Sequence, residues 1–280
     1  MAAPFKDASK LNVGKNFIIP APPTFSDPLE HRAFLKFRLA QAYRIFAKYG
    51  YDEGVAGHIT VRDPIRPDCY WVNPWGIHFK LLQPEDLLLV DHGGKIQENE
   101  SGPSRFLNRA AYMIHSAVHE ARPDAICAAH SHTTYAKAFG ALGVPLDPIT
   151  QDSCAFYEDH ALYSQFRGIV DDREEGLAIA NALGSKKAVI LQNHGILVAG
   201  KSIESTVFFF ISLEKCCKVQ MVVDQAAAAR GLKPRLIDPV NAASTRESLG
   251  SEVGGWFNGI PEFQLLEHEE GKRFEYVPAP

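Results

Sequence analysis

The sequence predicts a single layered α/β domain, and three observations carry that expectation. Short apolar runs bounded by Pro, Gly and Asp are interleaved with longer stretches whose apolar residues recur at helical spacing. The chain has no internal repeat and no clean succession of βα units. Two of the apolar runs, AICAAHSH (125–132) and KAVILQNH (187–194), end in histidine. A chain of 280 residues can bury a substantial core in one such unit.

Taken in order, residues 1–28 carry Pro4, Pro20, Pro22, Pro23 and Pro28 with little periodicity, as expected of an extended arm. Leu29 to Tyr49 follows a helical pattern that Gly50 stops. Strands are expected at GHITVRD (57–63), CYWVN (69–73), DLLLVD (86–91) and KIQ (95–97), arranged as an antiparallel meander. After a polar loop (98–104), FLNRAAYMIHSAVHEA (106–121) forms an amphipathic helix ended by Pro123. The strand AICAAHSH leads into TTYAKAFGAL (133–142), a helix with a threonine cap. Residues 143–172, with Pro145 and Pro148, read as irregular. A helix over 173–184 closes at Gly184, KAVILQ is a buried strand, and a long helix runs from Ser202 to about Ala228. The expected division is an arm (1–28), the α/β domain (29–228) and a helical C-terminal tail (229–280).

Composition excludes several classes. A net charge of -4 without a basic run gives no basis for binding nucleic acid or an anionic membrane. The opening MAAPFKDASK lacks the apolar core of a signal peptide. VFFFISLEKCCKVQMVV (207–223) is broken by Glu214, Lys215 and Lys218, so it is a buried or interface helix rather than a membrane span. Its aromatic run, Phe208 to Phe210, exceeds what one helix face can bury and points to an oligomer. Five cysteines without a CxxC pair argue for reduced thiols, a cytoplasmic location and no cysteine-bound zinc knuckle. Cys216 and Cys217 are expected to be packed thiols.

His130 and His132 stand two apart in a strand, so their side chains share a face. Two imidazoles there can grip one divalent ion if a third ligand approaches, and His194, in a turn compacted by Gly195, is the next candidate. Three neutral nitrogens form the ligand set of an open catalytic zinc site. They also suit other first-row ions, Fe2+ and Mn2+ among them. The alternative is that HSH is a polar strand end and His194 a solitary turn residue, and spacing alone leaves both open.

Together, GVAGHITVRD (54–63), WVNPWGIHF (71–79), NRAAYMIHSAVHEARPDAICAAHSH (108–132) and ILQNHGILVAG (190–200) resemble the class II aldolase and adducin head-domain family over roughly residues 30–228. The resemblance implies a three-layer α/β/α sandwich around a mostly antiparallel central sheet. It further implies a homotetramer with active sites between subunits. His130, His132 and His194 would hold a metal, most often zinc, that polarises a carbonyl or stabilises an enolate as a carbon–carbon bond breaks. His58, Asn73, Trp75, Gly76 and Asn108 fall at or beside substrate-contacting positions.

The departures from the family pattern define the rest of the expectation. The acid that family aldolases carry four positions before the helix histidine is Ala111, counted back from His115. The preceding serine pair is replaced within Asn108 to Ala110. The phosphate-cradling turn, often Pro-Ser-Gly, reads Pro74-Trp75-Gly76, and a glycine-associated asparagine is His58. A bulky indole in place of a hydroxyl disfavours a phosphate. Tyr157, Glu158 and His160, with Asp159, are the candidates to supply the missing proton chemistry. His115 and His119, four apart on one helix face without a zincin glutamate, are assigned a structural role, as is Arg62, for instance through a pair with Asp63 or a nearby loop carboxylate.

Three functions are compatible with this pattern. The first is a metal-dependent lyase, retro-aldol or decarboxylating, acting on a non-phosphorylated carbonyl or hydroxy-acid substrate. The second is an Fe(II) oxygenase of an aromatic hydroxy or oxo acid, with Trp75, Phe79 and Phe156 lining an aromatic pocket. The third is a non-catalytic oligomerisation module of the adducin kind, disfavoured because all three histidines are retained.

Overall fold

The computed structural model describes residues 22–166, 168, 173–271, 274 and 276. The arm expected over residues 1–28 therefore lies mostly outside the described residues. Its last residue, Pro28, already opens helix α1 (Pro28–Lys48), whose N-cap Asp27 accepts from the Leu29 N–H. Gly50, at φ 72°, lets the chain leave the helix in the left-handed region.

Seven strands form one sheet in the order β3-β2-β1-β4-β7-β6-β5. They are β1 (His58–Arg62), β2 (Cys69–Val72), β3 (Leu88–Asp91), β4 (Cys127–Ser131), β5 (His160–Tyr163), β6 (Ala188–Leu191) and β7 (Gly195–Gly200). Every pairing is antiparallel except β5 on β6. Helices α1, α3 (Thr134–Gly140), α5 (Ile203–Ala229) and α7 (Glu252–Glu270) cover one face. Helices α2 (Arg109–Ala121) and α4 (Arg173–Leu183) cover the other, which completes three layers. Helix α6 (Pro239–Leu249) links α5 to α7. Phe263 and Leu266 of α7 enter the same core as α1 and α5, so the C-terminal helices help close that face.

Alternation along the strands decides which side chains face which layer. Ile59 and Val61 pack toward α1, so His58, Thr60 and Arg62 point toward α2. On β4, Cys127 and Ala129 point toward α1 and α5, and Ala128 and His130 toward α2 and α4. Direct pairing of His58 with His130 across β1 and β4 then sets the two imidazoles side by side.

The structure departs from the expected elements at identifiable places. KIQ contributes only an isolated bridge between Val90 and Ile96. The stretch 143–172 contains β5, a half-exposed edge strand whose four residues carry little periodicity. ILVAG after the turn belongs to β7, an interior strand between β4 and β6. Helix α2 begins at Arg109, with Asn108 as N-cap, so Phe106 and Leu107 precede it. Thr133 does not cap α3 through its own hydroxyl, which donates to Glu214 of α5. Arg62 binds the carbonyls of Pro67, His119 and Arg122, while Asp63 is taken by Arg32. All five cysteines are free and buried. No described helix is long and apolar enough to cross a membrane.

Candidate metal centre

Each of the three histidines is delivered by a different device. His130 is the fourth residue of β4, and its Nδ1 lies 2.9 Å from the carbonyl of Ile196 on β7. A carbonyl only accepts, so Nδ1 carries the proton and Nε2 presents a lone pair. His132 follows the end of β4, where Thr133 and the α3 N-terminus are anchored by Glu214. The Glu214 carboxylate accepts from Thr133 Oγ1 at 2.6 Å and from the N–H groups of Tyr135 and Ala136 at 2.9 and 2.7 Å. His194 sits in the turn between β6 and β7, after Asn193 at φ 58°. Gly195 is required there, because a Cβ would stand 2.5 Å from the Ser131 carbonyl.

The three rings converge. Their centroids are 5.0 Å apart for His130–His132 and 4.7 Å for each of the pairs with His194. One ligand nitrogen from each lies within 4.8 Å of the others, a spacing that can hold a metal ion. Burial lowers the pKa of all three, with His194 near 4, and neighbouring histidines depress His130 further. The rings are therefore neutral at pH 7, the state in which imidazole binds a metal. A neutral donor set with one tautomer fixed by a backbone carbonyl fits a divalent ion.

A cavity of about 370 Å³ opens onto the triad. Ala110, Ala111, Ile114 and Phe166 form its apolar wall, and among the described residues no carboxylate lines it. Among the described residues its cation is Lys137 of α3, ion-paired with Glu53. His58 also lines the cavity, is 3% exposed, and has no hydrogen-bond partner at either ring nitrogen. Each such orphan costs about 1–3 kcal/mol unless something in the cavity satisfies it.

Behind His58 lies a buried chain of groups. Thr60 Oγ1 is 2.8 Å from both His115 Nδ1 and His119 Nε2, and His119 Nδ1 is 3.3 Å from the Ala125 carbonyl. This supports the structural role expected for the two helix histidines. His115 Nε2 alone is left without a partner.

The other sequence candidates divide sharply. Asn108 lines the cavity while capping α2. Asn73 is buried away from it, held by the Tyr43 hydroxyl at 2.7 Å. Trp75, 44% exposed, and Gly76, at φ 91°, form a surface turn outside the cavity lining. Phe79 and Phe156 belong to the core facing α1 and α5, so the expected aromatic pocket is not formed. Tyr157, Glu158 and His160 are not brought to the triad within this chain. His160 pairs with Ala188 at the start of β6, whereas His194 follows the end of that strand. The separation is on the order of 10 Å. Both His160 nitrogens are occupied, by Phe156 O and the Leu146 N–H. Lys137, Asn193 and Phe166 were not singled out by sequence, and no local pattern marks them.

The Class II Aldolase and Adducin N-terminal domain profile matches residues 37–221. Decarboxylase NovR of Streptomyces niveus is 42% identical over 84% of each chain. The 4-hydroxy-3-prenylphenylpyruvate oxygenase/4-hydroxy-3-prenylbenzoate synthase of Streptomyces roseochromogenus subsp. oscitans is 41% identical over 84% of this chain and 82% of its own. Among solved structures, the L-fuculose 1-phosphate aldolase from Glaciozyma antarctica PI12 aligns with TM-score 0.83 and 46% identity, covering 91% of this chain and 97% of that one.

Proposed function

The chain belongs to the class II aldolase and adducin N-terminal domain family, and from that premise we propose that it is a metal-dependent carbon–carbon lyase. Its substrate is a non-phosphorylated oxo or hydroxy acid with an apolar, aromatic body. The observation that carries this reading is the composition of the cavity among the described residues: three neutral imidazoles, an apolar wall with Ala111 where the family aldolases carry an acid, and no carboxylate.

A divalent ion held by His130, His132 and His194 supplies Lewis-acid stabilisation of negative charge on a substrate oxygen. Zinc suits the ligand set, with iron and manganese as the alternatives. Lys137 offers a charge-assisted contact to a substrate carboxylate, and Glu53 holds it at the cavity mouth. Ile114, with Ala110 and Ala111, offers an apolar surface to the body of the substrate. The surface position of Trp75 and Gly76, outside the described cavity lining, supports a non-phosphorylated substrate. The exposed Trp75, Leu81 and Phe106 support a homo-oligomer, with a tetramer as the expected form. Five reduced, buried thiols support a cytoplasmic location.

The relative named as an oxygenase favours a second reading on the same residues, with Fe(II) as the metal. The test is elemental analysis of protein purified aerobically and anaerobically, followed by turnover of 4-hydroxy-2-oxo-4-phenylbutanoate, 4-hydroxyphenylpyruvate and L-fuculose 1-phosphate. The lyase reading expects the first of these to be split into benzaldehyde and pyruvate without oxygen uptake, and chelator to abolish the reaction. Oxygen consumption matching turnover selects the iron reading. Efficient cleavage of the sugar phosphate overturns both.

A further inference from the structure

Among the described residues, Lys137 is the one cation on the cavity wall, and its charge is already engaged. Its ammonium donates to the carboxylate of Glu53, which stands outside the lining. Both charges reach the triad. Burial is the first cause that lowers the His132 pKa; after it, Lys137 lowers the value and Glu53 raises it.

The two partners are held very differently. Lys137 belongs to α3, where its N–H donates to the Thr133 carbonyl at 2.9 Å, and Glu214 anchors the start of that helix. Glu53 lies in a loop whose glycines, Gly50, Gly54 and Gly57, take φ of 72°, 64° and 94°. The ends of the loop are fixed. Ser131 Oγ donates to the Tyr51 carbonyl at 2.6 Å, and a Cβ on Gly57 would stand 3.0 Å from that same oxygen. Between these ends, the Glu53 side chain is 59% exposed. Among the described residues, Lys137 is the only hydrogen-bonding partner of that side chain. If the pair opens, the lysine stays on its helix and the glutamate swings into water.

The exchange is governed by charge. An exposed ion pair shifts an equilibrium only a few-fold, so giving up Glu53 costs little. A ligand carboxylate carried into an apolar-walled cavity gains a charge-assisted contact in return. Two carboxylates on one ammonium repel each other, which drives Glu53 out as the ligand comes in. A neutral ligand has nothing to offer Lys137 and leaves the pair closed.

We propose that Glu53 is an internal competitor that occupies Lys137 until a substrate carboxylate displaces it, so that the pair admits acids in preference to neutral molecules of the same shape. This deepens the lyase reading and rests on its carboxylate contact, because it assigns the acid group of the substrate to α3. Lys137 touches the substrate, and Glu53 acts through it as a positioning residue.

The experiment uses the full-length zinc-loaded protein and two probes of matched shape, 3-phenylpropanoate and neutral 3-phenylpropanamide, titrated calorimetrically. The acid should bind several-fold more tightly than the amide. Glu53→Gln, which keeps the side-chain shape and removes its charge, should tighten the acid about three- to fivefold and leave the amide unchanged. Lys137→Met should weaken the acid about tenfold, with zinc content and amide affinity retained. In the Lys137→Met background, Glu53→Gln should bring no such gain. An acid affinity that is unchanged or weaker in Glu53→Gln overturns the proposal, since the carboxylate would then be idle or a support for the lysine. A gain of equal size without Lys137 overturns it too, because bulk charge would explain it. So does an unmodified protein that does not prefer the acid.

A crystal structure of the zinc-loaded protein with 3-phenylpropanoate gives a readout independent of any variant. The ligand carboxylate should lie on Lys137 Nζ with Glu53 turned away, and a bound acid beside an intact Glu53–Lys137 pair overturns the exchange. The lyase reading fails separately, when protein that discriminates the acid from the amide leaves 4-hydroxy-2-oxo-4-phenylbutanoate intact.

Discussion

Glu214 is where a single substitution should uncouple the metal centre from the fold. Its side chain is 6% exposed, and three donors converge on it from the segment that follows His132. In Glu214→Ala, Thr133 Oγ1 and the Ala136 N–H become buried donors without partners, at about 1–3 kcal/mol each. Removing the negative charge at the α3 N-terminus adds about 0.5–1 kcal/mol. Allowing for partial relaxation, the loss should be about 3–5 kcal/mol, a fall of roughly 10 °C in melting temperature at ~2–4 °C per kcal/mol. Glu214→Gln keeps one carbonyl oxygen as acceptor and should lose about half as much. Because His132 immediately precedes Thr133, metal affinity should fall with stability, by about 10–100-fold as for other groups that orient ligands. Urea unfolding of the metal-free protein measures the first quantity, and competition with a chromophoric chelator measures the second. An unchanged urea midpoint would refute the hydrogen-bond accounting. A destabilised variant that binds metal as tightly as the parent would refute the positioning role.

Three further outcomes follow from the same geometry. His132→Ala should abolish metal retention and turnover together, as read by elemental analysis and activity assay, and full metal content in that variant contradicts the assignment. The buried histidines make the metal-free protein acid-sensitive. His58 and His119, held neutral with pKa values near 3, cannot take protons that the unfolded chain binds below about pH 6.5. Their contribution is complete above that pH and is lost progressively on acidification. Each should lower unfolding free energy by about 1.3 kcal/mol between pH 7 and 5.5, and urea unfolding that is flat or more favourable at pH 5.5 contradicts this. Gly195→Ala should destabilise by about 1–3 kcal/mol and lower metal affinity, since its Cβ meets the Ser131 carbonyl and displaces the turn bearing His194. Calorimetric melting with chelator competition tests it, and a variant indistinguishable from the parent excludes the close approach.

Much of the fold is written locally. Proline and glycine punctuation with helical periodicity marks α1, α2, α4 and α5 to within a few residues, because these signals act over one or two turns of chain. HSH carries its own geometry, since residues two apart on a strand share a face. By contrast β5, paired only along one edge, and β7, placed centrally by its neighbours, depend on partners distant in sequence. The same is true of the loop 151–163, which looked chemically well equipped but runs to the far end of β6.

What the sequence alone determined is the ligand inventory: two histidines on one strand face, a third in a glycine turn, and an alanine where an acid is expected. Only the tertiary structure decided that these rings converge, that Glu214 anchors the segment beside His132, and that His58 is left unsatisfied at the cavity wall. The physical reason is that burial and hydrogen-bond saturation belong to the assembled layers. A side chain's partners come from elements tens of residues away, and no local pattern records which nitrogen will be left without one.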